Sequence, residues 1–150
     1  MKPTVLLYNV NNQKTIKALR MFSVKLGYRI RTVDDSMHQI PILFLANGLP
    51  EQLEQMKIKG EVAEDVKFED SMIVFAAFTE AKLNQFLNQF RASKVPNIPL
   101  KAIMTDTNMM WNSVQLLDEL KKEDAVMHLK TAEEINKEIN DEIDKGLGKK

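Results

Sequence analysis

The sequence predicts an α/β domain: a mainly parallel sheet of about four strands in three layers, built from two strand–helix–strand halves. Three observations lead there. Short β-branched or apolar runs at 4–10, 28–33, 72–78 and 100–105 have the length and composition of strands. A helical stripe of apolar residues lies between the members of each pair. In each half the strand starts are separated by roughly 25 residues, the size of a tight strand–helix–strand unit.

In the first half Thr4–Val10 is a strand that ends in an Asn cluster, and Asn11 or Asn12 caps the helix that follows. Ile16, Leu19, Phe22 and Leu26 share one face of that helix, and Gly27 sits where a left-handed C-terminal cap belongs. Tyr28–Val33 is the second strand, ending at Asp34, Asp35 and Ser36. The second half repeats the order. Met72–Phe78 is a nearly continuous apolar run, as in a buried strand. Thr79 is an N-cap, and Leu83, Phe86, Leu87 and Phe90 form an i, i+3, i+4, i+7 stripe. Pro96 and Pro99 end the helix, and Leu100–Thr105 is the last strand. Duplication and convergence on a common unit explain the repeat equally well.

The joint between the halves decides the topology. Ile40–Gly48 reads as a short helix with Pro41 in its first turn and Gly48 closing it. All four strands can then run parallel, with helices on both faces. Read instead as a strand entering an Asn-Gly turn, the same segment favours a ferredoxin-like α+β sandwich. Glu51–Asp70 reads as a long acidic surface excursion. After Asn108 a helix is expected, with Met110, Val114, Leu117 and Leu120 inward and Trp111, the single tryptophan, in its first turn. Ala125–Leu129 fits either a continuation or an edge strand. Residues 1–130 then form the α/β domain and 131–150 a helical tail: Thr131 and Glu134 make a capping box, Ile135, Ile139 and Ile143 form a narrow apolar line, and the last five residues fray.

Composition narrows the chemistry. The absence of cysteine excludes disulfides, thiolate nucleophiles, zinc fingers and iron–sulfur clusters. Lys plus Arg and Asp plus Glu number 21 each, so net charge gives no general pull toward nucleic acid or an anionic membrane and does not oppose self-association. The first apolar run is too short for a signal peptide and no segment has the length of a membrane span, so a cytoplasmic protein is expected. The first strand–helix turn, Asn9-Val-Asn-Asn-Gln13, lacks the glycines that let backbone wrap a pyrophosphate, and no nucleotide cofactor is expected. An aspartyl-phosphate receiver is disfavoured because the third strand ends in Phe78-Thr79, without a carboxylate.

In a parallel sheet, ligands bind at the carboxyl ends of the strands. Those ends hold Asn9, Asn11, Asp34, Thr79, Thr105, Asp106, Thr107 and Asn108, which would form one polar rim for a small ligand or anion. Every strand–helix turn also needs such residues as caps, so the same set fits a purely structural role. Asp34, Asp35 and Asp106 would suit Mg²⁺, but neighbouring carboxylates on a strand point to opposite faces, and no metal site is expected. His38 and His128 have no partner at ligand spacing, and no Ser–His–acid grouping emerges. Most of the nine methionines read as core filler; Met109 and Met110 stand beside Trp111. Lys101 and Asp106 bracket a strand and lie on the order of 15 Å apart, so the ends of this segment have separate tasks. Lys101 would cover apolar surface and pair with an acidic loop residue. Thr107 or Asn108 would cap a helix, and Trp111, with Met110, would pack on the sheet edge or anchor a partner.

Pro99-Leu100-Lys101-Ala102, followed by Thr105-x-Thr107-Asn108-x-x-Trp111, resembles a small bacterial domain family of unknown function. The Met72–Phe78 strand, the Leu83–Phe90 helix and Glu119–Glu123 are also similar, so the likeness spans about residues 70–125. Members of that family often have proline where this chain has Asp106. The resemblance implies a bacterial α/β protein and brings no activity with it. The expected function is a non-catalytic binding or regulatory module whose partner is another protein or a second copy. The alternative is a small-ligand or phosphoryl-binding protein using the polar rim.

Overall fold

A computed structural model describes residues 1–57 and 67–123. β1 (Thr4–Tyr8) is buried along its whole length, followed by α1 (Gln13–Leu26) and β2 (Arg29–Val33). Then come a single 3-10 turn at Asp35–Met37, α2 (Ile42–Asn47) and α3 (Pro50–Met56). The second half is β3 (Met72–Ala76), α4 (Glu80–Ala92) and β4 (Leu100–Ile103), followed by α5, helical over 113–123.

Local chemistry accounts for the element ends. The Asn12 side chain accepts the Thr15 N–H at 3.1 Å, and Thr79 Oγ1 accepts that of Lys82 at 3.1 Å, each satisfying one free donor of a helix start. Gly27 closes α1 at φ 73°, ψ 46°, the left-handed cap expected of it. Gly48 follows α2 in extended conformation, and its glycine identity has another cause: a Cβ would lie 2.5 Å from the Phe44 carbonyl oxygen.

The sheet order is β2-β1-β3-β4. β1 pairs β2 in parallel and β3 pairs β4 in parallel, but β1 and β3 run antiparallel, with Thr4 opposite Ala76 and Tyr8 opposite Met72. The sheet is thus mainly parallel with one reversal at its centre, not the uniformly parallel sheet that a helical joint would permit. Crossover geometry gives the reason. The two crossovers leave the central strands in opposite directions. With right-handed crossovers and parallel centres, α1 and α4 would fall on opposite faces. Reversing the second half puts both helices on one face. There Phe22 meets Phe86 edge-to-face at 6.3 Å, and Phe75 and Tyr28 meet the same ring at 4.9 and 5.6 Å. Such pairs contribute roughly 0.5–1.5 kcal/mol each beyond their buried area. Val5, Leu7, Leu19, Ile73, Phe90 and Ile98 complete this core.

The halves are therefore related by a pseudo-two-fold rotation normal to the sheet. The residue after each central strand takes the left-handed conformation, Asn9 at φ 54° and Ala77 at φ 61°. The alternating strand residues Leu6, Tyr8, Met72 and Val74 are buried toward the second face. That face carries α2, whose Ile42, Leu45 and Ala46 are buried. Of the segment Ile40–Asn47, Ile42–Asn47 is helical, and Pro41 occupies the N-cap position rather than lying in the first turn.

Two local expectations are corrected. Glu51–Asp70 is not wholly an excursion: Pro50 opens α3, Leu53 is buried, and Phe68 stacks on His38. The helix after the last strand begins at Ser113 rather than just past Asn108. Its cap is reciprocal, with Gln115 N–H on Asn112 Oδ1 at 2.9 Å and Asn112 N–H on Gln115 Oε1 at 3.0 Å. Trp111 therefore precedes the helix, half-buried; Met110 is 54% exposed instead of inward, and Leu116 joins Leu117 in the core. The chain divides into two units, Met1–Leu117 and Asp118–Lys150. In the second, residues 118–123 are described: they are helical, and Lys122 lies 3.4 Å from Glu119. Ala125–Leu129, His128, the 130/131 boundary and the 131–150 tail lie outside the described residues.

Candidate functional site

The central reversal divides the expected rim. Asn9, Asn11 and Asp34 lie at the carboxyl ends of β1 and β2. Thr79, Thr105, Asp106, Thr107 and Asn108 follow β3 and β4 and lie at the opposite end of the sheet. The eight residues share no common border.

At the first end, Asn9 staples the returning chain. Its Nδ2 donates to the carbonyls of Phe68 (2.8 Å) and Asp70 (3.0 Å), and its own carbonyl accepts from Ser71 Oγ at 2.9 Å. Two shallow clefts meet there. One, of about 350 Å³, is lined by Asn9, Asp35, Lys67, Phe68 and Glu69. The other, of about 290 Å³, includes Asn9, Asn11, Asn12, Thr15, Ser71 and Asn97. Asp34 caps the 3-10 turn by accepting from the Ser36 N–H (2.9 Å) and the Ser36 hydroxyl, and its other oxygen is 3.9 Å from Lys57 Nζ. The hydrogen bond from Lys57 to Glu54, at 3.0 Å, holds that ammonium above its ordinary pKa, with the Asp34 charge adding to it. Asp106 is at the far end, so the three-carboxylate set does not assemble. Among the described residues no cluster of three or more His, Asp or Glu could hold a metal.

At the second end the polar groups bond one another. Asn108 Oδ1 accepts the Thr105 N–H at 2.8 Å, Thr105 Oγ1 accepts the Asn108 N–H at 3.3 Å, and Asn108 Nδ2 donates to the Ile103 carbonyl at 3.0 Å. Asp106 and Thr107 are exposed. The turn then passes to α2, whose first N–H groups need acceptors. The carbonyls of Trp111 and Met109 receive the N–H groups of Ile42 and Leu43, both at 2.9 Å. The backbone beside the tryptophan thus closes α2 at its start. Arg29 and Arg31, two residues apart on β2, hold its other end, where carbonyls are free and cations are favoured. Arg29 Nη2 donates to the Ala46 carbonyl (3.3 Å), and Arg31 Nη1 donates to those of Leu45 and Gly48 (3.0 Å for the latter). Lys101 pairs with neutral oxygens rather than an acid, Asn97 Oδ1 at 2.9 Å and the Ile98 carbonyl at 2.7 Å, and burial lowers its pKa.

A polar group inside the second face also resembles catalytic machinery. Tyr8 OH and Ser113 Oγ are 2.7 Å apart, the His38 ring stacks on Phe68 at 4.3 Å, and His38 Nε2 is 3.8 Å from Asp35 Oδ1. Burial drives the Tyr8 phenol well above its ordinary pKa, offset in part by Ser113. With Tyr8 and Ser113 at 0% exposure and His38 at 1%, no substrate reaches these groups, and they act as a satisfied polar core.

The apolar opening lies between α2 and α3. A cleft of about 270 Å³ is lined by Phe44, Gly48, Gln52, Leu53, Gln55 and Met56. Phe44 and Met56 stay 39% and 42% exposed, and neighbouring Leu49 60%. The sequence reading missed this site. Its signal was Phe44, which turns outward once Ile42, Leu45 and Ala46 take the buried side of a six-residue helix.

These features define a small α/β protein with a mixed four-stranded sheet, an apolar cleft on one face and no assembled catalytic group among the described residues. A family model described as a domain of unknown function (DUF3783) matches residues 71–127, which include β3, α4, β4 and the turn that closes α2. No curated protein and no solved structure matches the chain. Among the described residues no helix is long and apolar enough to cross a membrane.

Proposed function

We propose that the protein is a non-catalytic binding module, and that the α2–α3 cleft takes an aromatic or branched aliphatic side chain of a protein partner, a second copy of the chain being one such partner. The observation that carries this reading is an apolar cleft with part-exposed Phe44 and Met56 on its wall. The helix behind it is fixed at both ends, by the Trp111 and Met109 carbonyls and by Arg29 and Arg31, so little ordering is required on binding. Of the polar residues after β4, Thr105 and Asn108 are bonded to each other, which favours a structural role for that pair.

Selection of peptides from a random library on the full chain tests the reading, with Phe44→Asp as the counter-target. Enriched peptides are expected to carry an aromatic or branched residue and to lose at least about tenfold in affinity on Phe44→Asp. Enrichment of nothing, or of peptides indifferent to that change, removes the cleft from consideration.

The small-ligand alternative draws on the two clefts that meet at Asn9. The second is lined by Asn11, Asn12 and Thr15 at the start of α1, whose first turn carries no acidic residue. Inorganic phosphate would then raise the melting temperature, and Asn11→Asp would abolish the rise. No shift with phosphate eliminates that alternative for anions.

A further inference from the structure

We propose that the solvent face of α1 docks an acidic amphipathic helix of a partner protein. Lys14, Lys17, Arg20 and Lys25 are exposed on this face, and Met21 and Val24 lie among them, 64% and 87% exposed. At 3.6 residues per turn the six fall within an arc of about 140°. None of the four cations makes an ion pair with a described residue. The balanced total conceals the asymmetry. Residues 1–33 contain seven Lys and Arg and no Asp or Glu, leaving 14 basic against 21 acidic residues in the remainder. Of the seven, Arg29 and Arg31 are engaged on α2.

The two-fold-related helix makes the feature specific to α1. The outer face of α4 carries the uncharged Asn84, Gln85 and Asn88, and the half-buried Lys82 donates to the Leu26 carbonyl at the end of α1. On α1, Lys14, Lys17 and Arg20 follow at spacings of three and repel one another. A partner must therefore supply negative charge beside an apolar line that covers Met21 and Val24. An acidic helix supplies both, its carboxylates facing the cations and its aliphatic ridge lying across the i, i+3 pair. A phosphate backbone offers the two aliphatic side chains nothing. A bilayer gains little from them, because the main apolar stripe of α1 is in the core of the protein.

The test is calorimetric binding of the full chain to a synthetic helical peptide of roughly 15–20 residues, with leucines at i, i+4 flanked by glutamates. The comparison peptide carries Gln for Glu. The expected result is binding to the Glu peptide that weakens with salt and falls at least about tenfold for the Lys17→Glu/Arg20→Glu double variant and for Val24→Asp. All three positions are exposed or solvent-facing, and circular dichroism confirms that each variant folds. The proposal is overturned if the Glu peptide does not bind, if the Gln peptide binds equally, or if the variants bind unchanged. Tighter binding of duplex DNA or of phosphatidylglycerol vesicles than of the Glu peptide also overturns it.

Discussion

The first and second halves of the sheet follow one plan with different chemistry. Both run strand, left-handed residue, capped helix, strand, yet their interiors differ. The second half supplies a phenylalanine cluster from Phe75, Phe78, Phe86 and Phe90. The first half carries both tyrosines, each with its hydroxyl hydrogen-bonded inside: Tyr8 to Ser113 and Tyr28 to the Leu19 carbonyl at 2.7 Å. At equivalent positions on the outer strands, β2 has Arg31 where β4 has Ala102. The backbone plan tolerates these exchanges because its requirements are few: apolar strand residues, a turn that accepts positive φ, a cap and an inward helical stripe. The rest of each half is free to serve what packs beside it.

The largest effect that would sharpen the contrast is at Phe86, whose ring meets Phe22, Tyr28, Phe75, Phe78 and Phe90. Phe86→Ala should cost about 3–5 kcal/mol in denaturant unfolding, more than Leu19→Ala in the first-half helix at about 2–4 kcal/mol. Equal losses would show that the aromatic cluster is not concentrated in the second half.

Next is alkaline stability, which separates the halves through their rings. Burial raises the phenols of both Tyr8 and Tyr28. The folded protein therefore keeps these protons to higher pH than the unfolded chain does. Stability is unaffected by them below the ordinary tyrosine pKa of about 10 and falls as pH rises beyond it. Tyr28→Phe should flatten the alkaline limb of a melting-temperature profile. Tyr8→Phe should do the same while lowering stability below about pH 10 by about 1–2 kcal/mol, because Ser113 loses its partner, a deficit that shrinks as pH rises further. An unchanged alkaline limb in both variants would contradict the assignment.

The smallest effects compare the two left-handed positions. Asn9→Ala removes the bonds to Phe68 and Asp70 and places alanine where asparagine is better tolerated, a loss of about 1–2 kcal/mol. Ala77→Gly relieves the matching residue and should raise stability by roughly 0.5–1 kcal/mol in the same thermal assay. A destabilised Ala77→Gly would mean that Ala77 is not under strain.

Much of each half was legible because it depends on neighbours in sequence. The α1 stripe, the Gly27 and Thr79 caps and the run beginning at Met72 were readable from spacing, while Ile40–Asn47 fitted either a helix or a strand, with only Pro41 and Gly48 favouring the helix. The direction of one half relative to the other was not. A continuous apolar strand such as Met72–Ala76 fits either direction, and the choice rests on contacts between distant residues such as Phe22 and Phe86. The same ambiguity made the polar rim look continuous: each turn was placed after the right strand, but the strands end on opposite sides. The late helix start was partly readable, because Asn112 and Gln115 have the spacing of a reciprocal cap. Phe68 was hidden by the acidic residues around it, and the cleft depended on the outward turn of Phe44.

The reversed seam also decides how a piece of the chain would behave on its own. Severed from the rest, residues 71–127 would present the main chain of β3, which now meets five residues of β1, as a bare border, with half of the ring cluster uncovered. A second copy related by the same rotation would mend both defects. The excised unit should therefore run at twice its formula mass on a sizing column.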